Sequence, residues 1–314
     1  MKRNIKFIVS GSSTARLRSS ALKKLTGRIT FFQICPLSFS EFIFFKENKE
    51  IPEWQVNTGL KGLKEIVAQK LPYQNILRRN FLEYLCFGGY PRIVLEKEQS
   101  VKEKLLRDYV DLIIKRDIAS IFSIEHLPEL ENVLYLLGKN TANKISFFRI
   151  SKETGLKIET VKKYYYYLEQ AYLIFNIGFF KTSLKKTRRP YKFYLTDLGI
   201  RNLLSGDFGI KPSETLLGNL AESAIANFLS RQGLSAGYWE DKQGNQVDFT
   251  AKSFKDLLPI EVKYQNKIDF TSLKGLMKFI EEHKPPEALI ITKDFYQEKK
   301  INKTNFLAVP VYYI

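Results

Sequence analysis

The stretch Gln246-Val-Asp-Phe-Thr-Ala-Lys-Ser-Phe-Lys-Asp-Leu-Leu-Pro-Ile-Glu-Val-Lys263 decides how the C-terminal third is read. Its first seven residues alternate, with Val247, Phe249 and Ala251 on one side and Asp248 and Thr250 on the other. Its last residues alternate too, so Glu261 and Lys263 share the face opposite Ile260 and Val262. Two strands in this order can pair and bring Asp248 close to Glu261. Two carboxylates meeting beside a lysine repel each other unless a cation lies between them. Mg²⁺ or Mn²⁺, held by carboxylate and phosphate oxygens, suits such a place. The lysine could orient or deprotonate an attacking water, or stabilise charge building on phosphorus. The plain alternative is an ordinary hairpin with charges on its wet face, and the spacing alone occurs often by chance.

Working outward, "LLGNLAESAIANFLSRQG" upstream reads as a helix. Stepping about 100° per residue from Leu217 puts Glu222 at about 140°, on the edge of the apolar stripe, where it can reach a cleft at the end of the sheet. "AGYWED" precedes the hairpin as a strand. "FTSLKGLMKFIEEHK" follows as a helix, and "EALIIT" and "LAVPVYYI" as strands.

Farther upstream, "ENVLYLLGKN", "SFFRISKETGL" and "KIETVKKYYYYLEQAYLI" read as three helices, two short ones joined through a Gly-containing turn to a longer one. "IFNIGFF" and "YKFYLTD" then read as two strands around the basic turn "KTSLKKTRRPYK". This is the pattern of a helix-turn-helix followed by a wing. No acidic residue lies between Glu169 and Asp197. Lys181, Lys185, Lys186, Arg188, Arg189 and Lys192 of the wing are candidate phosphate contacts, with Lys157, Lys162 and Lys163 of the third helix. The tyrosine run 164–167 covers every side of a helix, so part of it belongs to the core. The alternative is a protein-interaction module with a solvated basic hairpin.

Residues from about 50 to 120 read as helical, with a stop at Gly88-Gly89. At the N-terminus, "IKFIVSGSS", "TARLRSSALKKLTGR" and "ITFFQICPLSFSEF" read as strand, helix, then a second β-rich run entering a helix. A parallel sheet needs more strands than these two.

Composition agrees with a folded, nucleic-acid-facing protein. Of 314 residues, 44% are hydrophobic and 14% aromatic, enough to bury cores. Lys+Arg number 50 against 33 Asp+Glu, a formal +17 that suits a polyanion such as DNA. Two cysteines without a CxxC and two histidines far apart exclude a zinc ribbon, leaving oxygen ligation for any metal. The longest apolar run, "AYLIFNIGFF", is too short to span a bilayer, and the N-terminus has no signal-peptide core. The expectation is a soluble, cytoplasmic protein.

The order helix with Glu222, strand with Asp248, strand with Glu261-x-Lys263, then helix resembles the PD-(D/E)xK nuclease superfamily. That resemblance implies catalytic roles for Glu222, Asp248, Glu261 and Lys263, with Asp248 and Glu261 on the metal. A "VD" stands here in place of the family's "PD". More widely, "FIVSGSS", "LTGR", "PLSFSEF", "FGGYPRIV", "RDYVDLIIKRDI", "KFYLTDLGI", "GNLAES", "QVDF" and "PIEVK" are similar to prokaryotic AAA+-type ATPases with a C-terminal DUF4143 region. In such ATPases Ser12 and Ser13 would correspond to sensor 1 and Arg28 to an arginine finger. The sequence departs from that pattern in having no G-x-x-x-x-G-K-[ST] and no acidic strand end before them. ATP binding and hydrolysis are therefore not expected from this chain alone, read as a truncated or degenerate member. Partners implied are DNA and either a second copy or a missing ATPase half. The expected architecture is α/β and multidomain. It comprises a partial ATPase-core segment (1–48), a helical lid-like region (49–125), a winged helix-turn-helix (126–204) and a restriction-endonuclease-like α/β domain (205–314).

Overall fold

The computed structural model describes residues 8, 30–122, 124, 126–180, 189–208, 212–252 and 257–314. The described fold is a helical region followed by a mixed eight-stranded sheet.

Helix α1 (Phe39–Glu47) begins at a reciprocal cap: the Glu41 N–H donates to Ser38 Oγ and the Ser38 N–H to Glu41 Oε2. Helices α2 (Gly59–Lys70) and α3 (Gln74–Phe87) follow, the latter ending at Gly88. After α4 (Pro91–Leu95), α5 (Gln99–Asp111) runs through a π-helical stretch over Leu112–Ile118 into α6 (Ala119–Phe122). The β-rich reading of "ITFFQIC" is corrected, because residues 30–36 are in no strand. Phe32 and Ile34 are 87% and 95% exposed. Side chains at 32 and 34 that face water leave the segment no apolar face to bury on a sheet.

Helices α7 (Leu127–Lys139), α8 (Phe147–Thr154) and α9 (Ile158–Gln170) form the second cluster. Ser146 caps α8, and Gly155 ends it at φ 73°, a left-handed turn that favours glycine. In α9 Tyr164, Tyr165 and Tyr167 are buried with Val161 and Leu168, while Tyr166 is exposed. The antiparallel hairpin β1 (Ile174–Phe179) and β2 (Lys192–Leu195) follows, and Lys144 adds an isolated bridge to Lys192. Helix α10 (Leu198–Ser205) starts on the Asp197 cap.

Helix α11 (Glu214–Arg231) buries Leu217, Leu220, Ala221, Ile225 and Leu229 in the same apolar cluster as Phe249, Ile260 and Leu289. Burying one such aliphatic side chain contributes roughly 1.5–3 kcal/mol. Strands β3 (Ser235–Glu240), β4 (Gln246–Lys252) and β5 (Leu257–Lys263) pair antiparallel. Helix α12 (Lys274–His283), preceded by a 3₁₀ turn over Phe270–Ser272, packs on the opposite side of the sheet, in the cluster of Val247, Trp239 and Ala288. Strands β6 (Glu287–Thr292) and β8 (Thr304–Pro310) extend the sheet in parallel, with β7 (Gln297–Ile301) on its edge. The run "LAVPVYYI" leaves its strand at Pro310 for a 3₁₀ turn over Val311–Tyr313.

The basic hairpin is continuous with the C-terminal strands. β1 pairs in parallel with β3 through Gly178–Gly237 and Phe179–Tyr238, giving the order β2-β1-β3-β4-β5-β6-β8-β7. A side chain at Gly237 would press within 3.1 Å of the Phe180 backbone, so glycine permits this close approach.

Candidate functional site: an acidic pocket closed by two lysines

Four residues named from the sequence meet in space. Between β3 and β4 the register shifts: Gly237 pairs with Thr250, but Trp239 pairs with Val247. Two residues of β4, Asp248 and Phe249, thus lie opposite the single residue Tyr238. This bulge breaks the simple alternation expected for "QVDFTAK". Val247 packs on the α12 side and Phe249 on the α11 side. Asp248 is re-aimed toward α11, where Glu222 stands.

The β4–β5 ladder stops at Phe249–Ile260, one step short of Asp248 and Glu261. Side chains take over from the ladder. The Val262 N–H donates to Asp248 Oδ2 at 2.9 Å, and the Asp248 N–H reaches Glu261 Oε2 at 3.4 Å. Lys263 Nζ lies 2.8 Å from Glu261 Oε1. From α11, Glu222 Oε1 accepts from Lys192 Nζ at 3.0 Å and from the Tyr194 hydroxyl at 2.9 Å. Lys192 Nζ also lies 3.8 Å from Asp248 Oδ1.

Lys192 therefore departs from its expected position among exposed wing lysines. It is 5% exposed and faces the carboxylates. Period 2 in "KFYL" explains this: Phe193 and Leu195 pack among the helices of the second cluster, which turns Lys192 and Tyr194 to the other side. Tyr194 was not foreseen as a site residue, and that alternation was its only signal.

The electrostatics follow from burial. Burial pushes the Glu222 carboxyl up, and the Asp248 charge adds to it, while Lys192 and Tyr194 pull it down. Burial and then Asp248 push Glu261 up, against Lys263. Burial disfavours the Lys192 ammonium, but Glu222, Asp248 and Glu261 outweigh it and raise its pKa. Lys263 is raised in the same way, with burial again opposing and Glu261 leading the attraction. Three acids and two lysines in a confined space leave an excess of acid, which a hard cation would relieve. Among the described residues, no three acidic, histidine or cysteine side chains are disposed as they stand to share one ion. Two carboxylates, Asp248 and Glu261, are nevertheless a usual protein complement for Mg²⁺, the rest being water and substrate oxygen.

Of the nucleic-acid candidates, Lys157, Lys162 and Lys163 are exposed on and just before α9. Arg189 bonds the carbonyl and carboxylate of Glu240, and its guanidinium lies 4.5 Å from the Phe179 ring centroid. Lys181, Lys185, Lys186 and Arg188 lie outside the described residues, as do Ser12, Ser13 and Arg28. No helix among the described residues is long and apolar enough to cross a membrane.

Residues 1–43 match a family model described as an AAA domain, and residues 217–314 match the domain of unknown function DUF4143. Residues 78–211 match another domain of unknown function, DUF8612. The chain is thus related to AAA-like ATPase proteins that carry a DUF4143 region. Similar proteins include an uncharacterized protein of Methanocaldococcus jannaschii, 29% identical over 249 residues, covering 77% of this chain and 51% of that protein. An uncharacterized protein of Haemophilus influenzae is 23% identical over 312 residues, covering 95% of this chain and 68% of that protein. The chain spans about half the length of the archaeal relative.

Proposed function

We propose that this protein binds DNA through a winged helix-turn-helix and carries, in its DUF4143 region, a nuclease-type pocket that hydrolyses phosphodiesters with Mg²⁺ or Mn²⁺. The observation that carries the reading is the junction of Asp248 with Glu261 and Lys263, where a bulged strand and its neighbour exchange side-chain bonds for ladder bonds. Asp248 and Glu261 would hold the ion, which supplies Lewis acidity and lowers the pKa of a bound water. Lys263 lies beside Glu261 and, as an ammonium whose pKa that carboxylate raises, would orient the water or stabilise charge building on phosphorus. Glu222 would assist from α11. The three helices α7 to α9, the Lys144 bridge and the β1–β2 hairpin support the winged-helix part, and the exposed lysines of α9 support a phosphate-facing role.

A second reading is favoured by one bond. Lys192 on Glu222 satisfies the pocket from within the chain, as expected of a non-catalytic DNA-binding or interaction module whose nuclease-like region is a scaffold. Calorimetric titration of Mn²⁺ into wild type and Asp248→Ala, with the same samples incubated with supercoiled and single-stranded DNA, separates the two. Metal binding and nicking, both lost in the variant, support the nuclease. No metal binding by wild type leaves the scaffold.

A further inference from the structure

The pocket is built from two parts of the chain that match different family models. Glu222, Asp248, Glu261 and Lys263 come from 217–314, whereas Lys192 and Tyr194 come from 78–211. We propose that Lys192 is a resident counter-cation of the acidic pocket, standing where a divalent ion would bind, so that an ion enters only as Lys192 leaves. This inference rests on the reading of the pocket as a divalent-ion site.

Asp248 has two oxygens with different duties. Oδ2 accepts the Val262 N–H, a bond that holds β4 to β5 where the ladder has ended. Oδ1 is the oxygen turned toward Lys192 Nζ, at 3.8 Å. An ion ligated by Oδ1 would sit roughly 2.0–2.6 Å from it. Such an ion and the Lys192 ammonium would crowd one small volume, and two positive charges there repel. The two lysines of the pocket differ in their freedom to yield. Lys263 has a side chain 38% exposed and can swing toward solvent while its stem stays on β5. Lys192 has a side chain only 6% exposed, starts β2 opposite Ile177, and lies over the Tyr238 ring at 5.8 Å. Its departure requires the hairpin root to shift relative to α11. The same contact accounts for the lack of a three-carboxylate arrangement among the described residues: Glu222 is drawn to the ammonium and the Tyr194 hydroxyl rather than to a point shared with Asp248 and Glu261.

The test titrates Mn²⁺ calorimetrically into the full chain as wild type, Lys192→Met, Glu222→Gln and the double variant, and records thermal melts with and without Mn²⁺. The expected result is Mn²⁺ affinity about tenfold or more higher in Lys192→Met than in wild type, because a competing positive charge is gone. Without metal that variant melts lower than wild type, and Mn²⁺ raises its melting temperature more. Should Lys192→Met fail to fold, the double variant, relieved of one unpaired acid, is compared with Glu222→Gln, and the same gain is expected. Equal or weaker binding after loss of Lys192, with wild type binding Mn²⁺, overturns the counter-cation role while the ion site stands. Absence of Mn²⁺ binding in all four overturns both.

Discussion

The backbone N–H of Val262 donates to the side chain of Asp248 at 2.9 Å, so a carboxylate replaces a carbonyl in the ladder between β4 and β5. This exchange lets the strands part while keeping the backbone amide satisfied. It also fixes the Asp248 charge beside Glu261, where, after burial, it helps push the Glu261 carboxyl up.

The pH dependence of stability should carry that coupling. Burial and Asp248 hold the Glu261 pKa at about 8, above its ordinary 4.5. A carboxyl raised on folding contributes stability that is full below its unfolded pKa and lost as pH rises through the folded one. Metal-free protein should therefore lose stability between about pH 4.5 and pH 8 through this group. Asp248→Asn removes the neighbouring charge and should flatten that loss, and Mn²⁺ in the wild type should do likewise. Urea denaturation at a series of pH values checks this. An identical pH slope in wild type and variant would refute the coupling.

DNA affinity should depend on α9 independently of the pocket. Lys162 and Lys163 are exposed, and the buried Tyr164, Tyr165 and Tyr167 anchor the helix beneath them. Replacing both lysines by alanine should weaken duplex binding at low salt without changing the melting temperature. If each meets a phosphate, the salt dependence of log K should become shallower by about 0.9 per lysine lost. Fluorescence anisotropy at several salt concentrations measures this. An unchanged slope would move the DNA surface away from α9.

Much of this was legible in the sequence because local pattern and tertiary packing agree there. Strands β4 and β6 coincide with "QVDFTAK" and "EALIIT", since alternating or continuous apolar residues face two covering helices. Antiparallel pairing of β4 with β5 brings Asp248 near Glu261 as expected, but the bulge, not the strict alternation expected of the strand, sets where Asp248 points. What escaped depended on distant partners. β7, "QEKKI", has no apolar alternation and becomes a strand by pairing with β8 on one side only. The bulge at Asp248 is set by register against β3, which "QVDFTAK" alone does not encode. Lys192 looked like a surface cation because a lysine-rich hairpin ordinarily faces water. Its burial required three acids contributed from residues 30 to 69 positions away.

The contact between α12 and β4 offers a steric test of the pocket's support. A side-chain carbon added at Gly275 would overlap the Gln246 backbone, which cannot yield as a flexible side chain could. Gly275→Ala should destabilise the fold by about 1–3 kcal/mol, as overpacking of a filled interior does. Because Gln246 is two residues from Asp248 on the same strand, Mn²⁺ affinity should fall as well. Chemical denaturation and calorimetry report the two effects. Stability close to wild type would show that α12 can shift away from the sheet.

Lys70, which donates to the main chain at Tyr313 and Ile314, sets a second pH dependence of opposite sign. It is fully buried at the end of α2, and its ammonium donates to the main-chain oxygens of Tyr313 and Ile314 at 3.1 Å each. Burial lowers its pKa to about 8, with Glu53 pulling the other way. A lysine depressed on folding binds its proton more tightly in the unfolded chain, so stability rises with pH between about 8 and 10.5. Lys70→Met leaves two main-chain acceptors without their donor and should cost about 1–3 kcal/mol at pH 7. The gap between wild type and variant should widen by on the order of 1 kcal/mol at pH 9.5, where only the wild type gains from losing the proton. Guanidinium denaturation at the two pH values measures both gaps. Equal gaps would mean that Lys70 carries an ordinary pKa despite its burial.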